Sequence, residues 1–466
     1  MTTHTSRTNT RGALAALSLP VLMASLDTSI ANTALPTLAD AFSASFPAVQ
    51  WIVLAYLLAI TTLIVSAGRL GDVVGRRRLL LAGIALFTIA SLACGAASGL
   101  AMLLVARAAQ GLGAAIMMAL SLAFVGDTVS RERTGSAMGL LGTMSAIGTA
   151  FGPSLGGLLV AALGWRWLFL VNVPVGLLNL LLASRHLPAD RPAPAGGRAL
   201  LDPLGTVLLA GTLASYALAM TLEHGRLGPL TLGLLLAAAA GAGMFVLAES
   251  RVPAPLVRLE MFRDNVLGAS LASGALVSAV MMSTLVVGPF YLARALALPP
   301  ALVGVLLSVG PLVVALAGVP AGRLADRIGT RRTARAGLLA MALGAIALSQ
   351  LPVRLGAAGY VLAISVVTAG YALFQTSNNT SVMTRVAAGD RGALSGLLNL
   401  SRNLGLITGA SLMGAVFAFG AGSGEITSAA PAAIAAGMRA TVAAAAGLMV
   451  VALAVSAACE RPTPPP

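Results

Sequence analysis

Long apolar runs, each broken by a short cluster of Arg, Gly, Pro or Asp, alternate along the whole chain. The first six fall near 13–36, 50–70, 79–98, 101–124, 136–160 and 166–184. Two more lie near 203–222 and 229–248, and six follow near 266–290, 301–321, 335–352, 357–382, 393–419 and 438–457. Each run is close to the roughly 20 residues with which an α-helix crosses a ~30 Å hydrocarbon core. Membrane-spanning strands would give short alternating segments instead. The pattern therefore predicts an all-α polytopic membrane protein of fourteen transmembrane helices, grouped 6 + 2 + 6. The predicted divisions are an N-terminal six-helix half (1–184), a Pro- and Gly-rich cytoplasmic linker (185–200), two extra helices with a cytoplasmic loop (201–264), and a C-terminal six-helix half (265–466).

Composition sharpens this picture. Only 9% of the 466 residues are charged, against about 25% in soluble domains. The formal charge of +14 would suggest a nucleic-acid partner until the arginines are placed on the spans. All 29 basic residues are Arg; with the N-terminus inside, 22 fall on the side of the two termini and five on the other. That bias is the positive-inside rule, so the implied partner is a lipid bilayer, not nucleic acid, with both termini cytoplasmic. The first apolar run is too long for a signal-peptide core and reads as an uncleaved span.

Several function classes fall away on residue type. A phosphate-binding Walker loop needs Lys, and the chain has none, which excludes an ATP-driven pump of that kind. His4, His186 and His224 lie in termini or loops and Cys94 is far from Cys459, so no metal, cofactor, disulfide or enzymatic centre is expected. An internal repeat points to transport. "GRLGDVVGRRR" (68–78) recurs as "GRLADRIGTRR" (322–332), and Gly135, Gly139, Gly148 and Gly152 recur as Gly392, Gly396, Gly405 and Gly409. The predicted architecture is two parallel halves related by a pseudo-two-fold axis, with spans 7 and 8 outside the bundle.

The chemistry centres on Asp27, in "LMASLDTSIANTALP" of span 1. At 1.5 Å per residue it sits ~21 Å above the cytoplasmic end of its span. Arg107 sits ~9 Å below the outer end of span 4 by the same rise, so opposite charges share one depth. Intramembrane acids mark ion paths or proton relays. Asp27 is accordingly the expected proton carrier and Arg107 its gate, with a static structural ion pair as the alternative. Gln375, Asn378 and Asn379 in span 12 follow i, i+3, i+4 spacing; with Asn32, Gln110 and Arg402 they are candidate linings of a substrate cavity. A polar contact between spans 12 and 13 is the competing reading. In the loop after span 2, Asp72 and Arg76 would pair if the segment were one helix, with Asp127 within reach.

Taken in order, "LDTSIANTALPTL", "GRLGDVVGRRR", "RAAQGLGAA", "GTAFGPSLGG", "GWRWLFLVNVPVG" and "SRNLG" resemble the fourteen-span drug:proton antiporters of the major facilitator superfamily, the EmrB/QacA type. The resemblance implies a major facilitator fold, in which spans 1 and 4 line a central cavity between parallel halves. It implies a cytoplasmic gate of Gly68, Arg69, Asp72, Gly75, Arg76, Asp127 and the repeat residue Asp326. It also implies that Gly148, Gly152, Pro153, Gly156 and Gly157 form an antiporter hinge that marks exporters. Family members that export dications carry a further acid in span 13, and this chain has none there. The expectation is proton-coupled efflux of small lipophilic compounds, such as drugs or antibiotics, across a bacterial cytoplasmic membrane by a monomer. Whether an adaptor or outer-membrane partner joins it is left open. A dedicated metabolite exporter or a proton symporter for a nutrient is the alternative.

Overall fold

In a computed structural model each expected span contains helix among the described residues. The structure describes residues 10–128, 134–190, 202–222, 228–252, 264–350, 355–383, 391–422 and 429–458. The first group comprises α1 (Thr10–Thr33), α2 (Leu35–Ala41), α3 (Phe46–Val74), α4 (Arg76–Gly95), α5 (Leu100–Thr128), α6 (Thr134–Leu163), α7 (Trp167–Leu170) and α8 (Asn172–His186). Then come α9 (Pro203–Leu222) and α10 (Pro229–Glu249). The last group is α11 (Asn265–Phe290), α12 (Pro300–Ile328), α13 (Thr330–Gln350), α14 (Gly356–Met383), α15 (Arg391–Gly420) and α16 (Pro431–Ala458). Among the described residues, fourteen spans are long and apolar enough to cross a membrane.

Local chemistry sets the breaks. Pro36 has no N–H to donate back to the turn of Asn32, and the first span divides into α1 and α2 there. Gly75 (φ 104°) and Gly329 (φ 88°) end α3 and α12 at corresponding places in the repeat, a backbone state that favours glycine. Near Pro289 the end of α11 widens into a π-helical turn over Tyr291–Ala295.

The same partnerships recur in both groups of six. α1 packs on α6 as α11 packs on α15, α3 on α5 as α12 on α14, α4 on α5 as α13 on α14, and α4 on α8 as α13 on α16. Between the groups α6 meets α12 and α3 meets α15. α9 lies against α3 and α15, and α10 packs on α9. Trp51 Nε1 donates to Thr221 Oγ1 at 3.1 Å and Ser66 bonds Thr206 at 2.8 Å, pinning α9 to α3 along its length. Neither α9 nor α10 enters the middle of the bundle.

An even number of spans puts both termini on one face, here the terminal face. Among the described residues, the polar and ring contacts that join the two groups lie toward the opposite face. Phe46 stacks edge-on against Phe290 and Phe417, with centroids 4.8 and 5.3 Å apart. Gln50 Nε2 donates to the Ala410 carbonyl at 2.7 Å, and Arg294 pairs with Asp40. Ser154 and Ser308 share a 2.6 Å hydrogen bond. The two groups are clasped at that face.

Candidate functional site

Asp27 is 1% exposed and Arg107 is fully buried. Their charged ends meet at 2.5 Å between Arg107 Nη1 and Asp27 Oδ2. The shared depth read from the sequence is thus matched by contact. Asp27 also has neutral donors: Gln110 Nε2 and Asn172 Nδ2 each donate to Oδ1 at 2.8 Å. Three N–H donors converge on one acceptor-only group, which is how an ionised carboxylate is satisfied away from water.

Arg107 is held as tightly. Nε donates to the Ile52 carbonyl at 2.9 Å and Nη1 also to Gln110 Oε1 at 2.7 Å. Its guanidinium lies 4.3 Å from the centre of the Tyr56 ring and 5.7 Å from that of Phe169, a cation–π cage. Nη2 alone has no hydrogen-bond partner. Gln110 relays the network to Ser91 on α4 at 2.8 Å. Five helices thus supply one polar knot: α1, α3, α4, α5 and α8.

The resemblance implies that spans 1 and 4 line a cavity between the halves. The side chains of Asp27 and Arg107 turn into the first group of helices and are sealed there. Asn172, Tyr56 and Ser91 were not singled out as site residues. Asn172 stands within the quoted "GWRWLFLVNVPVG", where a polar residue inside an apolar run was the available signal.

The other predicted residues divide. Asn32 is buried on α1, but its Nδ2 bonds the Thr28 carbonyl one turn back, so it does not join the knot. Asn378 is buried and donates to the Ser270 carbonyl of α11 at 3.4 Å, whereas Gln375 is half-buried and Asn379 exposed. Arg402 on α15 is exposed. α14 packs on α13, α12 and α11, and no described hydrogen bond joins it to α15. The three amides of span 12 therefore differ in burial, because i+3 and i+4 straddle the edge of the buried stripe.

In the loop after α3, the helix stops at Val74 and a new one starts at Arg76. The spacing of Asp72 and Arg76 therefore does not place them on one helical face. The side chains of Arg69, Asp72 and Asp127 lie outside the described residues. Arg76 Nη1 reaches the Ala123 carbonyl on α5 at 3.4 Å. Asp190, not foreseen, caps α4: its carboxylate accepts from the backbone N–H of Arg77 at 2.7 Å and of Arg78 at 3.1 Å. A Cβ on Gly75 would stand 2.5 Å from Asp190 Oδ2, so glycine is required there twice over. Gly68 has open space around it, and Asp326 is exposed on α12.

The glycines of α6 form two seams. Gly148, Gly152 and Gly156 abut α1, against Leu22, Ser29 and Ile30, while Gly157 abuts Pro300 and Gly304 of α12. Pro153 is accommodated within a continuous α6, and its carbonyl lies against Gly304. A methyl group added at Gly148 or Gly157 would strike backbone, as at small-xxx-small contacts generally, and one at Gly152 would strike the Ser29 side chain.

The family model of the Major Facilitator Superfamily matches residues 17–410 and 270–466. The chain belongs to the Major Facilitator Superfamily. It is 34% identical over 406 residues to multidrug resistance protein Stp of Mycobacterium tuberculosis, covering 87% of this chain and 75% of that one. It is 30% identical to riboflavin transporter RibZ of Clostridioides difficile over 404 residues, 85% of this chain and 86% of that one. Among solved structures of this fold, a bacterial homologue of the lysosomal transporter Spinster, inward-facing and unoccupied, superposes with a TM-score of 0.69 at 17% identity, over 97% of both chains. The peptide transporter POT in complex with sulfate gives 0.70 at 16% identity, over 96% of this chain and 94% of that one. The protein is a major facilitator transporter with multidrug resistance proteins among its relatives.

Proposed function

We propose that this transporter exports small lipophilic compounds across a bacterial cytoplasmic membrane in exchange for protons, with both termini in the cytoplasm. Two halves, 1–184 and 265–466, would rock about the substrate, with 185–200 as a linker and 201–264 as an accessory pair. The observation that carries this reading is the Asp27–Arg107 pair, sealed inside the first group of helices and satisfied by three donors. A buried ion pair is rarely worth its desolvation for stability alone. Its use is as a switch. In one state Asp27 is ionised and paired; when the helices part, Asp27 leaves Arg107 and takes a proton.

With the arginine bias assigning the terminal face to the cytoplasm, the clasp through Phe46, Phe290 and Phe417 closes the outward path. The proton would be taken up when that clasp opens. Gly148, Gly152, Pro153, Gly156 and Gly157 are read as the hinge along which α6 slides on α1 and α12. Asp72, Arg76 and Asp127 are read as the gate that forms in the opposite state. A single-substrate exporter or nutrient carrier is the second reading, favoured by the riboflavin transporter among the relatives.

A toxicity panel in an efflux-deficient host, with and without the gene, identifies the substrate. Adding that compound to purified protein should release protons, most simply one per molecule. Asp27→Asn should bind it and release none. Release equal to that of the parent would place the carrier elsewhere.

A further inference from the structure

We infer, resting on the proton exchange proposed above, that protons leave Asp27 through the interior of the first group of helices, along a stripe of α8 formed by Asn172, Asn179 and His186. The stripe ends at the terminal face. Asp27 needs such a route, because its carboxylate is sealed within that group.

The three residues recur at intervals of seven, so they share one face of α8, about two turns and ~10 Å between neighbours. At the inner end Asn172 Nδ2 donates to Asp27 Oδ1 at 2.8 Å. At the other end the half-buried His186 ring lies against Gly12, near the start of α1. His186 Nδ1 donates to the Leu182 carbonyl at 3.2 Å, which leaves Nε2 as the proton-accepting nitrogen. Between these ends Asn179 is fully buried, and neither its Nδ2 nor its Oδ1 has a hydrogen-bond partner. A sealed amide with both ends unmet carries a desolvation cost, and bound water is what ordinarily meets such groups.

α5 repeats the pattern from the facing side. Gln110 and Asn172 donate to the same oxygen of Asp27, so their stripes border one interior. Eleven residues on from Gln110, about three turns nearer the terminal face, Ser121 is fully buried with its Oγ unmet. The second group has no counterpart among the described residues. There α16 packs on α13 as α8 packs on α4, and it buries Ile434, Met438, Val442 and Met449. Its buried hydroxyl, Thr441, turns back to the Gly437 carbonyl at 2.8 Å. The polar stripe accompanies the acid.

An amide does not itself pass on a proton; it orients the water that does. The O–H bond of protonated Asp27 breaks and its proton goes to the first water. Each water hands one proton onward, and His186 Nε2 takes the last and returns it to solvent at the terminal face. Asp27 is left as the carboxylate held by Arg107.

Time-resolved infrared spectra of the full-length protein in detergent, after a rapid drop in pH, read the same route in reverse with the proton as the probe. The part of the protonated-carboxyl band that Asp27→Asn removes belongs to Asp27. Asn179→Leu keeps the size of the side chain and should fold at least as well as the parent, because it removes unmet polar atoms. Its Asp27 band should reach the parental height roughly tenfold more slowly, the effect of one lost hydrogen bond on a barrier. Asn179→Ser, which keeps a hydroxyl to hold water, should recover most of the rate. Leu178→Ala, on the exposed side of α8, should change nothing. An unslowed Asn179→Leu overturns the route and leaves the exchange standing. A lower final height in that variant makes Asn179 part of the Asp27 knot and overturns the route as well. A parent without an Asp27 band overturns carrier and route together.

Discussion

The two groups of six helices pack alike but differ in what they bury. Shifted by the 254 to 257 residues of the repeat, Asp27 falls on 281–284, Met-Met-Ser-Thr, and Arg107 on 361–364, Val-Leu-Ala-Ile. There the hydroxyls of Ser283 and Thr284 turn back to their own helix, and Met282, Ala363 and Ile364 fill the interior. One architecture is therefore built twice, once around an ion pair and once around hydrocarbon. The fold does not need charge at this depth, and that is the strongest structural argument that the first group keeps it for another purpose.

The comparison can be broken by making the first group resemble the second. Arg107→Met alone leaves a buried carboxylate without its cation and should cost about 3–5 kcal/mol, read as loss of folded protein on size exclusion and in thermal unfolding. Asp27→Leu combined with Arg107→Met removes both charges. It should restore a melting temperature at or above that of the parent, while proton-driven transport in vesicles stays absent. Recovery of transport in the double variant would reduce the pair to scaffolding.

Smaller changes sharpen the contrast. Asn172→Leu deletes one of the donors to Asp27 and should cost about 1–3 kcal/mol, with an altered pH dependence of transport as the accompanying sign. At the terminal face, Asp190→Ala removes the cap of α4 and should cost about 1 kcal/mol. Asp326→Ala, on the exposed surface of α12, should stay within about 0.5 kcal/mol. Equal effects of the last two in unfolding experiments would show that the cap is idle.

Much of this was legible in the sequence because charge is rare in it. Asp27 and Arg107 stand out within apolar runs, and counting rise per residue placed them at one depth. The repeat likewise announced the recurring helix partnerships. What stayed hidden depends on where side chains turn. Asn172 begins α8 just after the short α7, so counting along one straight helix could not bring it to Asp27. Asp190 sits in a Pro-rich stretch and reaches α4 only because the chain folds back beneath Arg77. The glycines of α6 were visible as a motif, but their division between α1 and α12 follows from a neighbour that arrives more than a hundred residues later.

The position of α9 has a consequence for how cargo could enter. The two broadest lines of contact between the halves are α3 with α15 and α6 with α12. α9 covers the first: Trp51 and Ser66 hold it to α3, and it packs on α15 as well. Among the described residues no accessory helix packs along the second line. The bilayer therefore touches the two flanks unequally. A compound dissolved in lipid meets a shutter on one side and a bare seam of glycine and serine on the other, so lateral entry, where it occurs, is one-sided.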